Sequence, residues 1–230
     1  MASSNIITVP ITSAQVTAII LAGGQSKRMG RDKALIEVDG VPLLSRVYAV
    51  AESVCDRVLI VTDKSSQYRS LSLSRNVHKE LSQRINKTID KCKFVKDDFS
   101  EGPLVGFVQG LFDVKTAWVL LLACDLPWLD TDTVESWLAQ LDRLPKGTIA
   151  CLPRGEKGWE PLCGFYRASC LASLEDFSLA GGRSFQDWLA EESVVELTGC
   201  STDVLFNCNT PEDLNHVKDS GPSPKRLPDG

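Results

Sequence analysis

The sequence predicts an α/β domain of three layers, with a largely parallel sheet held between two layers of helices. Three observations predict it. Short aliphatic runs alternate with amphipathic stretches from residue 16 onward. The runs are of strand length and apolar throughout, as strands covered on both faces must be. The chain has 230 residues, 43% hydrophobic and 24% charged, enough to bury one core of this kind.

The elements follow in order. Residues 1–15, "MASSNIITVPITSAQ", have no basic start and no long apolar run, so they read as an unstructured extension and not a secretory signal. "VTAIILAG" (16–23) is a buried strand. "PLLSRVYAVAESV" (42–54) starts on Pro42 and has apolar spacing near 3.6, so it is a helix. "RVLIVTD" (57–63) is a second strand. Residues 64–91 are polar and weakly periodic, which predicts a weak helix and a long connection. "KFVKD" (93–97) is a third strand, "GPLVGFVQGLFDV" (102–114) a helix, and "AWVLLLACD" (117–125) the most apolar strand.

"LDTDTVESWLAQLDRL" (129–144) is a helix, and "TIACLP" (148–153), "EPLCGFYR" (160–167) and "SVVEL" (193–197) are later strands. "RGEKGWE", between the first two of these, has hairpin-loop chemistry. "SFQDWLAEE" and "TPEDLNHVK" are short helices, the second with a capping box made by Thr210 and Asp213. Residues 219–230 are rich in Pro, Gly and Ser and read as a disordered tail. The organisation is thus a single domain over 16–218.

Composition excludes several classes of function. The formal net charge is -5, which disfavours nucleic acid and anionic membranes as partners. No apolar run approaches the ~20 residues that span a bilayer. The eight cysteines include no C-x-x-C pair and several lie inside apolar runs. They read as buried reduced thiols of a cytoplasmic protein, not a disulfide framework or a zinc site. With only His78 and His216 present, a His-based metal site or a Ser-His-Asp arrangement lacks its residues.

Three segments carry the chemistry, each at the C-terminal end of an apolar run, where open α/β sheets bind ligands. In "AIILAGGQSKRMGRDKALIEV" (18–38), Gly23 and Gly24 let the backbone turn sharply and approach a ligand. Successive N–H groups there make an anion nest, and Ser26 adds a hydroxyl. Lys27, Arg28, Arg31 and Lys33 bring four cations within seven residues; Arg28 and Lys33 can neutralise a polyphosphate. The spacing matches neither G-x-x-x-x-G-K-[ST] nor G-x-G-x-x-G. In "LLLACDLPWL", Asp125 leaves the sheet at its rim, where a carboxylate and substrate phosphates can hold Mg²⁺. Asp97 and Asp98, ahead of "SEGPLVGF", can ligate that metal or bind a nucleotide hydroxyl or base.

Together "LAGGQSKRMGRDKAL" (21–35), "GPLVG" (102–106), "CDLPWL" (124–129), "EPLCGFY" (160–166) and "FNCNTPEDL" (206–214) resemble the molybdenum cofactor guanylyltransferases. L-A-G-G followed by M-G-x-D-K favours the guanylyl member over its cytidylyl relatives. The resemblance spans roughly residues 16 to 218. It implies a nucleotide-sugar-transferase-like sandwich with a mixed, mostly parallel sheet. It implies transfer of GMP from GTP to the phosphate of molybdenum-loaded molybdopterin, with Mg²⁺ and release of pyrophosphate. By motif, Leu21, Ala22, Gly23, Gly24, Lys33, Asp97 and Asp125 would bind GTP, with Asp125 also on the metal. Arg28, Lys33 and Asp125 would carry the catalysis. Either Asp97 or Asp98 faces the nucleotide. Gly182, Arg183 and Asn209 are candidates for the pterin side, where Asn207 also lies. Partners would be these small molecules, with other cofactor-biosynthesis proteins or the chaperones of recipient molybdoenzymes.

Transfer to an acceptor that is already an anion needs positioning and charge neutralisation more than a protein nucleophile. Scarce histidine is then expected. Two other readings stand beside this one: a related transferase using CTP or a sugar-phosphate acceptor, and a non-catalytic nucleotide-binding adaptor. The double glycine and "RDK" oppose the first; an intact Lys33 and Asp125 oppose the second.

Overall fold

The computed structural model describes residues 15–23, 29–73, 91–99, 101–155, 158–199 and 201–220. Gly24, Ser26, Lys27 and Arg28 of the cation-rich segment lie outside the described residues, as do His78, Cys200 and nearly all of both predicted tails.

The main sheet has seven strands in the order β11-β7-β10-β6-β1-β4-β5. These are β1 (Val16–Leu21), β4 (Arg57–Thr62), β5 (Cys92–Lys96), β6 (Trp118–Ala123), β7 (Ala150–Leu152), β10 (Cys163–Arg167) and β11 (Val194–Glu196). β1 lies at the centre, parallel to β4 on one side and β6 on the other, with Leu21 opposite both Val61 and Ala123. β10 runs antiparallel to both of its neighbours, β6 and β7. The sheet is therefore mixed and mostly parallel, as the resemblance implied.

Strand alternation divides the core into two layers. Ala18, Ile20, Val58, Ile60, Leu120 and Leu122 face one cluster, which includes Val47 and Ala51 of α1 (Leu43–Val54) and Val134 and Trp137 of α4 (Thr131–Leu138). The intervening positions Ile19, Leu59, Val61, Val119 and Leu121 face the other. That layer holds α3 (Pro103–Leu111), α5 (Leu171–Leu179) and α6 (Phe185–Leu189) through Leu104, Phe107, Leu174, Phe185 and Trp188. The central strands read as nearly unbroken apolar runs because both faces are covered.

Most elements are shorter than the sequence predicted, by up to three residues at one or both ends, while β5 begins one residue earlier than predicted. The helix over 129–144 divides into α4 and a 3₁₀ turn at Leu141–Arg143. Within 64–91 a helix α2 (Ser65–Leu73) does form. The "RGEKGWE" hairpin is present as a ladder of β8 (Arg154–Gly155) with β9 (Gly158–Trp159). The last helix, α7 (Pro211–Ser220), runs two residues past the predicted boundary at 218.

Two features carry no sequence expectation. α5 follows a 3₁₀ turn at Ala168–Cys170. β2 (Glu37–Val38) and β3 (Val41–Pro42) pair across Asp39 and Gly40, both at positive φ. That pair packs with α7 in a third apolar cluster of Met29, Ile36, Val38, Leu43, Cys208, Leu214 and Val217. Among the described residues no helix is long and apolar enough to cross a membrane.

Candidate active site

The parallel strands all end on one rim, and the motif residues converge there. Ala22 leaves β1 with its N–H donating to the Val61 carbonyl at 3.0 Å, while Cys124 N–H donates to the Leu21 carbonyl at 3.3 Å. Asp97 N–H donates to the Thr62 carbonyl at 3.1 Å, so Asp97 stands at the same level on the next strand but one. Gly23 comes so close to Asp97 that a Cβ at Gly23 would lie 3.2 Å from Oδ2 of Asp97. Any side chain there would press on that carboxylate, which is a physical reason for glycine. Leu21, Ala22, Gly23 and Asp97 are thus brought together at one rim.

Lys33 reaches the rim from another direction. It opens a 3₁₀ turn, Lys33–Leu35, capped by Asp32, whose Oδ1 accepts from Ala34 N–H at 3.1 Å. The Lys33 ammonium lies 3.4 Å from Oδ2 of Asp125 and also donates to Oδ1 of Asn209. Predicted phosphate ligand and predicted metal ligand are therefore neighbours, and Asn209 joins them from a segment 176 residues away. Arg183 engages Glu101 instead, at 2.6 and 3.1 Å, and the carbonyls of Ser178 and Gly182.

Asp125 is more buried than a rim position suggested. Its side chain is 13% exposed, and that of Lys33 19%. Burial pushes its carboxyl above the usual carboxylate range, and the Lys33 charge and hydrogen bond only partly oppose this. Its Oδ1 is buried with no hydrogen-bond partner among the described residues. A buried carboxylate oxygen left in this way is costly and is a natural seat for a cation. Among the described residues no group of three or more His, Cys, Asp or Glu could hold a metal. A single protein carboxylate suits Mg²⁺, which takes its other ligands from water and phosphate oxygens.

The segment carrying Asn209 is fixed at both ends. Cys208 N–H donates to the Asp125 carbonyl at 2.9 Å. Asn209 and Thr210 N–H groups both donate to Oδ2 of Asp213 at 2.8 Å, and Asp213 N–H donates to Thr210 Oγ1 at 3.1 Å. That is the reciprocal capping box read from the sequence, and it aims Asn209 at Lys33. Burial raises the Asp213 carboxyl more than any one contact lowers it, but these hydrogen bonds and the Lys33 charge together bring it below its usual value.

The residues that sequence reasoning missed brace this cluster. Tyr68 of α2 donates its hydroxyl to Oδ2 of Asp32 at 2.8 Å and lies 3.2 Å from the Ala22 carbonyl oxygen. Lys64 pairs with the same Asp32 oxygen at 3.1 Å. No local signal marks them, because α2 has weak periodicity and Asp32 lies 36 residues from Tyr68.

Comparison with known proteins places this geometry. The model for the MobA-like NTP transferase domain matches residues 18–220. A protein of a Nostoc species, named a probable molybdenum cofactor guanylyltransferase, is 50% identical over 213 residues, covering 91% of this chain and 95% of its own. One from Synechococcus elongatus with the same name is 40% identical, covering 85% and 94%. Among solved structures, molybdopterin-guanine dinucleotide biosynthesis protein A from Archaeoglobus fulgidus is similar in fold, with a TM-score of 0.67 at 21% identity, covering 88% and 96%. On the rim geometry, the family match and the identity to these relatives, the chain belongs to the family of MobA-like NTP transferases.

Proposed function

We propose that this chain is a molybdenum cofactor guanylyltransferase: it transfers GMP from GTP to the phosphate of molybdenum-loaded molybdopterin and releases pyrophosphate. The observation that carries the reading is the cluster of Lys33, Asp125 and Asn209 beside Gly23, at the C-terminal rim of the parallel strands. A phosphate oxygen of the acceptor attacks the α-phosphorus of GTP. The bond from that phosphorus to the α–β bridging oxygen breaks, and pyrophosphate carries the electron pair away.

The chain's residues then divide the work. Leu21, Ala22 and Gly23 would bind the triphosphate through their backbone, Gly24 is assigned to GTP with them on the sequence motif, and Asp97 would contact the nucleoside. Lys33 shares its charge between Asp125 and the phosphates, and Arg28 adds a second positive group. Asp125, through its buried Oδ1, would hold Mg²⁺. When bound, the metal neutralises phosphate charge and favours the leaving pyrophosphate. Asn209 accepts from the Lys33 ammonium, and its segment would face the acceptor. The reaction is placed in the cytoplasm, in keeping with the buried thiols of Cys55, Cys124, Cys151 and Cys170. Protein partners would be other enzymes of cofactor synthesis or chaperones of the recipient enzymes.

The test is pyrophosphate release by the purified chain with Mg²⁺, molybdenum-loaded molybdopterin and one nucleoside triphosphate at a time. A site built to pair with polar base edges rejects a mismatched base strongly. GTP should be preferred over CTP and ATP by at least ~a hundredfold in kcat/KM. Equal turnover of CTP would favour the cytidylyl reading, and no release with any triphosphate would favour the adaptor.

A further inference from the structure

The hydrogen bonds around Tyr68 point to a positioning device for Lys33, and we infer that Tyr68, Lys64 and Asp32 set the place of the phosphate-binding ammonium without touching substrate. The inference rests on Lys33 acting on the triphosphate, as proposed above.

The network is built from hydrogen bonds and one ion pair. Lys64 N–H donates to Thr62 Oγ1 at 3.0 Å. Tyr68 shares its hydroxyl proton between Oδ2 of Asp32 at 2.8 Å and the Ala22 carbonyl at 3.2 Å. Tyr68 is 2% exposed and Thr62 is fully buried, so water competes little with these bonds.

Asp32 translates that order into the site. One carboxylate oxygen caps the turn that begins at Lys33, and the other is occupied by Tyr68 and Lys64. Asp32 is also the nearest acid to Lys33 in the chain. Left unpaired, its carboxylate would compete for the neighbouring ammonium. Held by Tyr68 and Lys64, it leaves Lys33 to Asp125, Asn209 and phosphate. The Ala22 carbonyl and Asp32 lie on either side of the glycine motif, so one phenol fixes both the exit of β1 and the turn that carries Lys33. Burial, with the bond to Asp32 second, raises the phenol's pKa well above its ordinary value, so it stays a donor at any working pH.

The experiment is a double-mutant cycle on the full chain, read as GTP affinity by titration calorimetry and as pyrophosphate release. Tyr68→Phe and Lys64→Ala are each made alone and with Lys33→Ala. If the pair acts through Lys33, each change should lower GTP affinity or kcat by ~three- to tenfold alone, and by less than ~1.5-fold when Lys33 is already Ala. A role limited to holding the fold would cost the same factor in both backgrounds and would overturn the inference. Lys64 is partly exposed, so its variant carries the cycle if Tyr68→Phe loses stability. Wild type that binds GTP but transfers nothing would refute the guanylyltransferase reading alone, because the affinity cycle would still decide on Tyr68. A chain that binds no GTP at all would refute both.

Discussion

Asp125 and Lys33 face each other across 3.4 Å, yet the carboxyl of Asp125 remains harder to ionise than a free one. Burial therefore outweighs the ion pair. The sign for stability follows. With the folded pKa above the unfolded value, the native chain binds more protons than the unfolded chain, and stability falls as pH rises from about 4 through the folded pKa. Asp125→Asn should accordingly be no less stable than wild type at pH 7 by thermal unfolding, with the difference closing below about pH 4. The same variant should lose at least ~a hundredfold in turnover and all Mg²⁺ dependence of GTP binding. Marked destabilisation at neutral pH would mean that Asp125 serves structure. Lys33→Ala should keep the fold and weaken GTP affinity and turnover at least ~tenfold, measured by titration and initial rates. The rim positions of Gly23, Asp97 and Asp125 were legible because each follows an apolar run. The pairing of Lys33 with Asn209 was not, because partners 176 residues apart share no local pattern.

At the scale of elements, α7 shows how a helix cap serves a site. Asp213 and Thr210 close the capping box, and the N–H of Asn209 is one of the groups it satisfies. Asp213→Ala should cost ~1 kcal/mol, typical of a lost cap, and should also lower turnover because Asn209 is released from its orientation. Because the folded Asp213 carboxyl is shifted downward, its contribution is present above its unfolded pKa and is lost as pH falls through the folded value. Urea unfolding at pH 7 and pH 3 would check this: the gap between variant and wild type should shrink at the lower pH. The capping box could be read from "TPED" alone, since its residues sit three apart. The Asp39-Gly40 dipeptide was an equally clear hairpin signal that was not used. α5 had only a faint mark: Leu171, Leu174 and Phe177 recur at helical spacing in a stretch of nine residues with no side-chain cap, and packing on α3 fixes it.

For the whole molecule, the decisive feature is that β10 runs against its neighbours and still joins β6 to β7. The contact is tight: a Cβ at Gly164 would stand 2.8 Å from the Cys151 carbonyl oxygen and 2.7 Å from Leu152. Backbone cannot yield cheaply there, so Gly164→Ala should destabilise the domain by roughly 1–3 kcal/mol in urea unfolding. An unchanged midpoint would show that the two halves of the sheet are less closely coupled than this spacing implies. The parallel half was plain in the sequence, because strands covered on both faces read as unbroken apolar runs. Strand direction was not, because an apolar run has the same periodicity either way; only the resemblance indicated a mixed sheet.

The central claim is that this rim moves a guanylyl group, and the label on GTP tests it most directly. The chain is incubated with Mg²⁺, molybdenum-loaded molybdopterin and GTP labelled at either the α- or the γ-phosphorus. The α-label should appear in the pterin product and the γ-label in pyrophosphate. A γ-label on the acceptor, or an α-label that never leaves free nucleotide, would contradict the assignment.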